Sequence, residues 1–131
     1  RDNGFARRST REVIEEHLEF RKQGEIETDL ERNFADDVIL LTPGRVHRGK
    51  DGVRETGKLL ERAVSDPGTY NYDSLVVEGD VALLEWSAHT EEVHIQDGVD
   101  SFVVRNGRIC AQTIRYSVIF REISQALSID G

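Results

Sequence analysis

Apolar residues in the first half of the chain recur at helical spacing, three and four positions apart. An S-x-x-E pair at Ser9 and Glu12 is the signature of a capping box, and Gly24 can end the helix that this box begins. Apolar side chains at every fourth position from Ile26 to Phe34 predict a second, shorter helix. The pattern therefore predicts a helical hairpin with one apolar stripe on each helix.

A strand and a third helix are predicted after this hairpin. The β-branched and apolar run Val38–Thr42 predicts a short strand, and Pro43-Gly44 is a turn signal that ends it. Segment 44–50 is interpreted as a surface loop, because it approaches a phosphate-binding loop but has Asp51 where Ser or Thr would hold magnesium. Asp51 can cap a third helix, which Asp66-Pro67-Gly68 ends.

From residue 69 onward the period changes from that of a helix to that of a strand. Strands are predicted over residues 70–77, 81–95, 99–104 and 108–120. The turn signals Asp97-Gly98 and Asn106-Gly107 separate the last three of them. Helices in the first half and an antiparallel meander in the second predict an α+β fold, with the helices packed on one face of the sheet.

Length, charge and cysteine content narrow the class of protein. The 131 residues suit a single domain over 1–131, with 1–8 as a flexible start and 121–131 as a tail. The formal net charge of −8 opposes nucleic-acid binding, and no apolar run is long enough to span a membrane. Cys110 is the only cysteine, so we expect no internal disulfide and a cytoplasmic, reducing location.

Four short segments, taken in their order and spacing, carry a family resemblance. They are Gly24-Glu25-Ile26, Phe34-Ala35-Asp36-Asp37-Val38, Arg48-Gly49-Lys50-Asp51-Gly52-Val53, and Ser101-Phe102 through Asn106-Gly107-Arg108-Ile109. From about Thr10 to Val118 the chain resembles the SnoaL-like and ketosteroid-isomerase-like branches of the nuclear-transport-factor-two-like superfamily. The resemblance implies a cone-shaped domain, in which three helices of the N-terminal half close the hollow of a strongly curved antiparallel sheet. It also implies a convex sheet face that often forms a homodimer.

One position departs from the ketosteroid-isomerase pattern. Those enzymes place a general-base carboxylate at the end of the first strand, just before a proline, and the matching residue here is Thr42 before Pro43. A threonine hydroxyl cannot take a proton from carbon at neutral pH. Ketosteroid isomerisation proper is therefore not expected, and Thr42 is retained only as a position of the ligand pocket.

Asp100 and His17 are the candidate catalytic residues. Asp100 matches the acid that donates to the substrate oxyanion in ketosteroid isomerases, and on the hollow side of the sheet burial would raise its pKa. The alternative is an exposed turn residue beside Asp97-Gly98. His17 aligns with the oxyanion-hole tyrosine of those enzymes, and an imidazole can act as a base or a donor near pH 7. The alternative is a histidine at the edge of the core, bonded to a backbone carbonyl.

The remaining pocket candidates lie on predicted strands. They are Trp86, Phe102, Gln112 and Tyr116, in addition to Thr42. Trp86 has a simple core position as its alternative. Cys110 is predicted to share one strand face with Gln112 and Tyr116, and it is interpreted as an inert buried thiol. His89, Glu91 and His94 do not form a metal site if they share one strand, because the two histidines would then point to opposite faces. No metal and no cofactor is predicted.

Three functions stay open at this point. The first is a pocket that binds a small, largely apolar organic molecule. The second is an isomerase, cyclase or dehydratase that works without a cofactor, with His17 as base and Asp100 as acid or oxyanion donor. The third is a homodimeric interaction module that uses Leu83, Glu85 and Ser87 on the outer sheet face, with Trp86 and Phe102 filling the hollow.

Overall fold

The computed structural model describes residues 3–66 and 69–121. The helices are α1 (Asn3–Ala6), α2 (Thr10–Gln23), α3 (Ile26–Asn33) and α4 (Gly49–Ala63). The strands are β1 (Phe34–Thr42), β2 (Arg45–Arg48), β3 (Tyr70–Glu78), β4 (Val81–His89), β5 (Val93–Arg105), β6 (Arg108–Arg115) and β7 (Ile119–Phe120). No helix in the described ranges is long and apolar enough to cross a membrane.

The strands form one curved, unclosed sheet in the order β2-β1-β6-β5-β4-β3, with β7 paired to β5. Neighbouring strands are antiparallel except for β1 and β6, which run parallel. Buried side chains of α2, α3 and α4, among them Ile14, Leu30 and Leu60, join those of the inner sheet face in one apolar core. The α+β class and the packing of the helices against the sheet are therefore confirmed.

The predicted capping box is present at the start of α2. The Ser9 hydroxyl accepts a hydrogen bond from the backbone N–H of Glu12 (3.1 Å), and the Glu12 carboxylate accepts one from the Ser9 N–H (2.8 Å). Gly24 ends the helix in the left-handed region, with φ of 74°. Both ends of α2 are thus set by local interactions. Helical periodicity then places His17 on the buried face of α2, together with Val13, Ile14 and Leu18.

The turn between β4 and β5 corrects the sequence prediction. The chain reverses at residues 90–92, where the Thr90 hydroxyl accepts hydrogen bonds from the N–H groups of Glu92 and Val93 (3.2 and 3.1 Å). Asp97-Gly98 lies inside β5. Gly98 is needed there because the Trp86 indole covers its backbone, and a Cβ atom would lie 2.3 Å from the ring.

The same correction changes the positions of two histidines. His89 and His94 are register partners across the β4–β5 hairpin, so they lie on the same side of the sheet rather than on opposite faces of one strand. Even so, no three His, Cys, Asp or Glu side chains within the described ranges are grouped in a way that could hold a metal ion.

Smaller differences concern the ends of elements. Phe34 begins β1 instead of ending α3, and residues 45–48 form strand β2 of a hairpin with β1, not a loop. The predicted strand 108–120 is divided into β6 and β7. In β6 a bulge at Cys110 places Ile109 and Gln112 on the buried side, so Cys110 does not share the face of Gln112 as predicted. The predicted end of the third helix lies partly outside the described residues.

The N-terminal segment is held against the domain. Residues 3–6 form α1, and the Arg8 guanidinium donates to Asn33 Oδ1 (3.0 Å) and to the carbonyls of Arg32 (2.9 Å) and Gly107 (2.8 Å). Residues 3–8, which belong to the start predicted to be flexible, make these contacts in the structure. The predicted tail lies outside the described residues from 122 onward.

Candidate active site

A cavity of about 60 Å³ lies between the inner face of the sheet and helices α2, α3 and α4. A volume of this size has room for about four water molecules. Apolar side chains such as Leu30, Leu40, Leu84 and Ile114 form most of its walls. The half-buried lining residue Arg21 marks a side that is closer to solvent. The cavity thus combines an apolar interior with a small number of polar groups, which is typical of small-molecule sites.

His17 and Asp29 form a buried pair on one wall of this cavity. The His17 Nδ1 atom lies 2.7 Å from Asp29 Oδ2, and the two residues are only 5% and 2% exposed. Asp29 comes from α3, so the helical hairpin brings together two residues that are twelve positions apart. With Nδ1–H donated to the carboxylate, Nε2 is the nitrogen left to accept a proton. The histidine is therefore bonded to a carboxylate, not to a backbone carbonyl.

The Asp29 carboxylate is itself held in place from behind. Its Oδ1 atom accepts a hydrogen bond from Asn33 Nδ2 (2.9 Å), and Asn33 Oδ1 accepts one from Arg8 (3.0 Å). Both carboxylate oxygens therefore have a partner, and Asn33 is fully buried. Such outer hydrogen bonds fix the orientation of a functional side chain.

Asp100 contributes a second carboxyl group to the same cavity. Its Oδ1 atom accepts a hydrogen bond from Trp86 Nε1 (2.9 Å), and its Oδ2 atom accepts one from Gln112 Nε2 (3.1 Å). Burial raises the pKa of Asp100 to about 6, against the opposing effects of the Trp86 hydrogen bond and the nearby His17. About a tenth of the group is then protonated at pH 7. Asp100 can exchange a proton under ordinary conditions.

The residues predicted for the site are only partly brought together. His17, Asp100, Trp86 and Gln112 all line the cavity. Phe102 is buried behind His17, with its ring 5.5 Å from the imidazole, and it is not a lining residue.

Two other predicted positions do not line the cavity, contrary to expectation. The Tyr116 ring packs at 5.6 Å against the Trp86 ring. Thr42 lies at the β1–β2 hairpin, where its hydroxyl is 2.9 Å from His47 Nε2. The hairpin gives the Thr42 hydroxyl this histidine as a partner, because residues 45–48 form a strand and not the predicted loop.

Residues 14–112 match the model of the SnoaL-like domain. The chain belongs to this family. No curated protein matches the chain.

Solved structures show how widely this SnoaL-like domain shares its fold. A de novo designed protein with a curved β-sheet is 20% identical, with 91% of each chain covered and a TM-score of 0.71. An NTF2-like protein of unknown function from Burkholderia xenovorans LB400 is 21% identical, with 88% of this chain and 91% of that chain covered and a TM-score of 0.69. SalBIII, an epoxide hydrolase/cyclase-like enzyme with a role in pyran ring formation in the polyether salinomycin, is 16% identical, with coverages of 82% and 90% and a TM-score of 0.67. At these identities the likeness shows the fold alone.

Six further polar residues line the cavity of this SnoaL-like domain without having been predicted for it. They are Arg21, Asp29, Arg54, Thr56, Tyr70 and Tyr72. Arg21 follows His17 by four positions on α2, so helical periodicity alone would have placed both on one face. Tyr70 is the first residue of β3, and the alternation of side chains along this strand begins with it on the buried face. For Asp29 the sequence offers no local signal, because its partner comes from a different helix.

Proposed function

We propose that this SnoaL-like domain is an enzyme that moves a proton on a small, largely apolar organic molecule, in a reaction of the isomerase, cyclase or dehydratase type and without a cofactor. One observation carries the proposal. The Asp29-bound His17 and the buried Asp100 line the same apolar cavity. Two titratable groups in different environments beside one such space are the usual elements of acid–base catalysis.

His17 is the base in this scheme. Its Nε2 atom takes a proton from a carbon next to a carbonyl group of the substrate, and Asp29 stabilises the imidazolium that forms. The protonated form of Asp100 donates to the carbonyl oxygen, which becomes an enol hydroxyl. Transfer of the His17 proton to another carbon, with return of the enol hydroxyl proton to Asp100, completes an isomerisation. In a dehydration the His17 proton goes instead to a hydroxyl on the β carbon, which leaves as water while the enol hydroxyl returns its proton to Asp100.

The position of the base separates this scheme from ketosteroid isomerisation. In the ketosteroid isomerases that this chain resembles, the base lies at the position that corresponds to the end of β1, where this chain has Thr42. Here the base would come from α2 instead. The free volume beside Trp86 also favours small-molecule chemistry over a pure interaction role, for which Trp86 and Phe102 would fill the hollow.

Hydrogen–deuterium exchange tests the proposal. Small ketones and enones are incubated with the protein in D₂O and a metal chelator, and loss of the signal of the hydrogens next to the carbonyl is followed by NMR. We expect at least one compound to exchange about 100-fold faster than in buffer with an equal concentration of imidazole. Rates equal to those in the imidazole buffer for every compound would contradict the proposal.

We also propose that two copies pair through the outer face of the sheet. Val76, Val81, Leu83 and Val99 on this face are 37–60% exposed, and Val76 and Leu83 are direct neighbours across β3 and β4. Exposed apolar patches on a sheet face are commonly interaction surfaces, which supports the pairing.

Sedimentation equilibrium tests the pairing. The expected mass is twice 14.9 kDa for the wild type and 14.9 kDa for Leu83→Glu, because a carboxylate cannot be buried at the centre of an apolar contact. Leu59→Glu is the matched control, since Leu59 is an exposed leucine of α4 that lies away from this face. A wild type of 14.9 kDa at concentrations near 1 mM would overturn the proposal.

A further inference from the structure

We propose that the substrate carries a carboxylate group, which is bound by the Arg21 guanidinium and the Tyr70 hydroxyl. The inference rests on the proposed function only in treating the ligand as the substrate. It narrows the substrate class to small oxo, hydroxy or unsaturated acids with an apolar body. The carboxylate would occupy the Arg21 side of the cavity, and the reacting carbon would lie between His17 and Asp100.

Tyr70 supplies the first observation. The residue is 5% exposed and lines the cavity, and its hydroxyl is buried with no hydrogen-bond partner among the described residues. A buried hydroxyl without a partner is costly. Burial also raises the pKa of Tyr70 to about 12, so the group stays protonated and can donate. A ligand oxygen in the cavity would supply the acceptor.

Tyr72 shows that the free hydroxyl is specific to Tyr70. The two rings are stacked, with centroids 6.4 Å apart, and both line the cavity. The Tyr72 hydroxyl, however, donates to the carbonyl of Leu18 at 3.2 Å. Of these two tyrosines on the same strand, Tyr70 is therefore the one whose hydroxyl is available to a ligand.

Arg21 supplies the second observation, and Arg54 is its counterpart. Both arginines line the cavity. Arg54 is paired with Glu27 and Asp51, whereas Arg21 has no carboxylate partner within the described ranges. In a chain of net charge −8, a half-buried cation without a partner is a local exception to the overall charge.

The Arg21 guanidinium also lies close to α4. It lies over Gly57 of α4, where an added Cβ atom would come within 2.9 Å of Nη1 and 3.3 Å of Nη2. Its charge lowers the pKa of Tyr70, Tyr72 and Asp100 against the effect of burial, so its field reaches into the cavity. A planar guanidinium fork matches the two oxygens of a carboxylate, and a neutral tyrosine donor adds a third hydrogen bond.

Binding of benzoate and of its neutral isostere benzamide tests the inference without any turnover. Dissociation constants are measured at pH 7 by NMR titration of the ¹⁵N-labelled protein. We expect benzoate to bind at least tenfold more tightly than benzamide. Arg21→Gln is expected to abolish this preference, and Tyr70→Phe to weaken benzoate binding about fivefold without lowering the melting temperature, because the lost hydroxyl has no partner in the free protein.

Two control variants separate recognition of the carboxylate by Arg21 and Tyr70 from the general effect of altering the cavity wall. Tyr72→Phe and Arg54→Gln alter the same cavity wall, but remove groups that already have partners. They are expected to leave the preference for benzoate within twofold of the wild type. Equal binding of benzoate and benzamide by the wild type would overturn the inference, as would equal losses in all four variants.

The outcome for this site can be distinguished from the outcome for the proposed reaction. A preference for benzoate together with no deuterium exchange would support the carboxylate site and contradict the enzyme. Exchange of ketones together with no preference for benzoate would do the reverse. The two conclusions therefore stand or fall on different measurements.

Discussion

Substitution of His17 by asparagine is expected to lower the rate of deuterium exchange by about 10²–10⁴-fold, which is the usual contribution of a general base. The asparagine amide can take the place of Nδ1 and still donate to Asp29, so the buried carboxylate keeps its partner. It cannot accept a proton in place of Nε2. The loss should therefore fall on the reaction and not on the fold, which circular dichroism and the melting temperature would verify.

His47 provides the control for this substitution. It is the second buried histidine, and it lies at the β1–β2 hairpin, with Nε2 2.9 Å from the Thr42 hydroxyl. His47→Asn is expected to keep the exchange rate within threefold of the wild type. If His17→Asn retained the same rate as His47→Asn, the role of His17 as base would be excluded.

The second large effect concerns Asp100. Asp100→Asn is expected to raise the free energy of unfolding at pH 8 by about 3 kcal/mol while it lowers the exchange rate. The pKa of this carboxyl rises from 3.8 to about 6, mainly through burial. A rise of that size corresponds to about 3 kcal/mol by linkage. Asparagine preserves the bond from Trp86, and the Gln112 amide can turn to offer its oxygen.

The sign of the pH dependence follows from the direction of the shift. Between pH 3.8 and about 6 the folded protein keeps the Asp100 proton that the unfolded chain has already lost. The stabilisation that this proton provides is complete below pH 3.8 and is lost as the pH rises through 6. The difference between wild type and Asp100→Asn should therefore be small at pH 4 and largest at pH 8. The exchange rate of the wild type should fall above pH 6, where the proton donor is lost.

Urea unfolding at a series of pH values measures this difference, and Asp97→Asn is the control. Asp97 lies on the same strand but is exposed, and its hydrogen bonds from Ser117 lower its pKa. Its replacement should change stability in the opposite direction at pH 8. A difference in unfolding free energy between wild type and Asp100→Asn that does not vary with pH would show that folding does not raise the pKa of Asp100.

The parts of the fold that were predicted correctly depend on neighbouring residues. The capping box at Ser9 and Glu12, the left-handed end of α2 at Gly24 and the turn at Asn106-Gly107 are all satisfied within a few positions of the chain. Alternation along β5 made a buried Asp100 one of two alternatives, and the structure places this residue on the buried face. Such signals act through local hydrogen bonds and side-chain periodicity, and they are readable without knowledge of the rest of the chain.

Other features needed residues that are distant in sequence. Asp97-Gly98 has the composition of a turn, yet it lies within a strand because Trp86 from β4 covers Gly98. The bulge at Cys110 depends on pairing with β5, and it decides that Gln112 is buried. A turn signal such as Asp-Gly reflects only the local conformational preference of a segment. Packing against a neighbouring strand can override that preference.

The sequence by itself determined the class of the fold, because helical and strand periodicities depend on which side chains are shielded from water. Four short segments carried the family resemblance, whereas the inward placement of His17 and Asp100 was one of two alternatives for each residue. The tertiary structure alone decided that His17 is bonded to Asp29 and that Thr42 lies outside the cavity. It also decided that, among the residues the structure describes, Arg21 has no carboxylate partner and the Tyr70 hydroxyl has no hydrogen-bond partner. Whether a polar group has a partner depends on atoms that folding brings in from other elements, and no pattern along one segment contains that information.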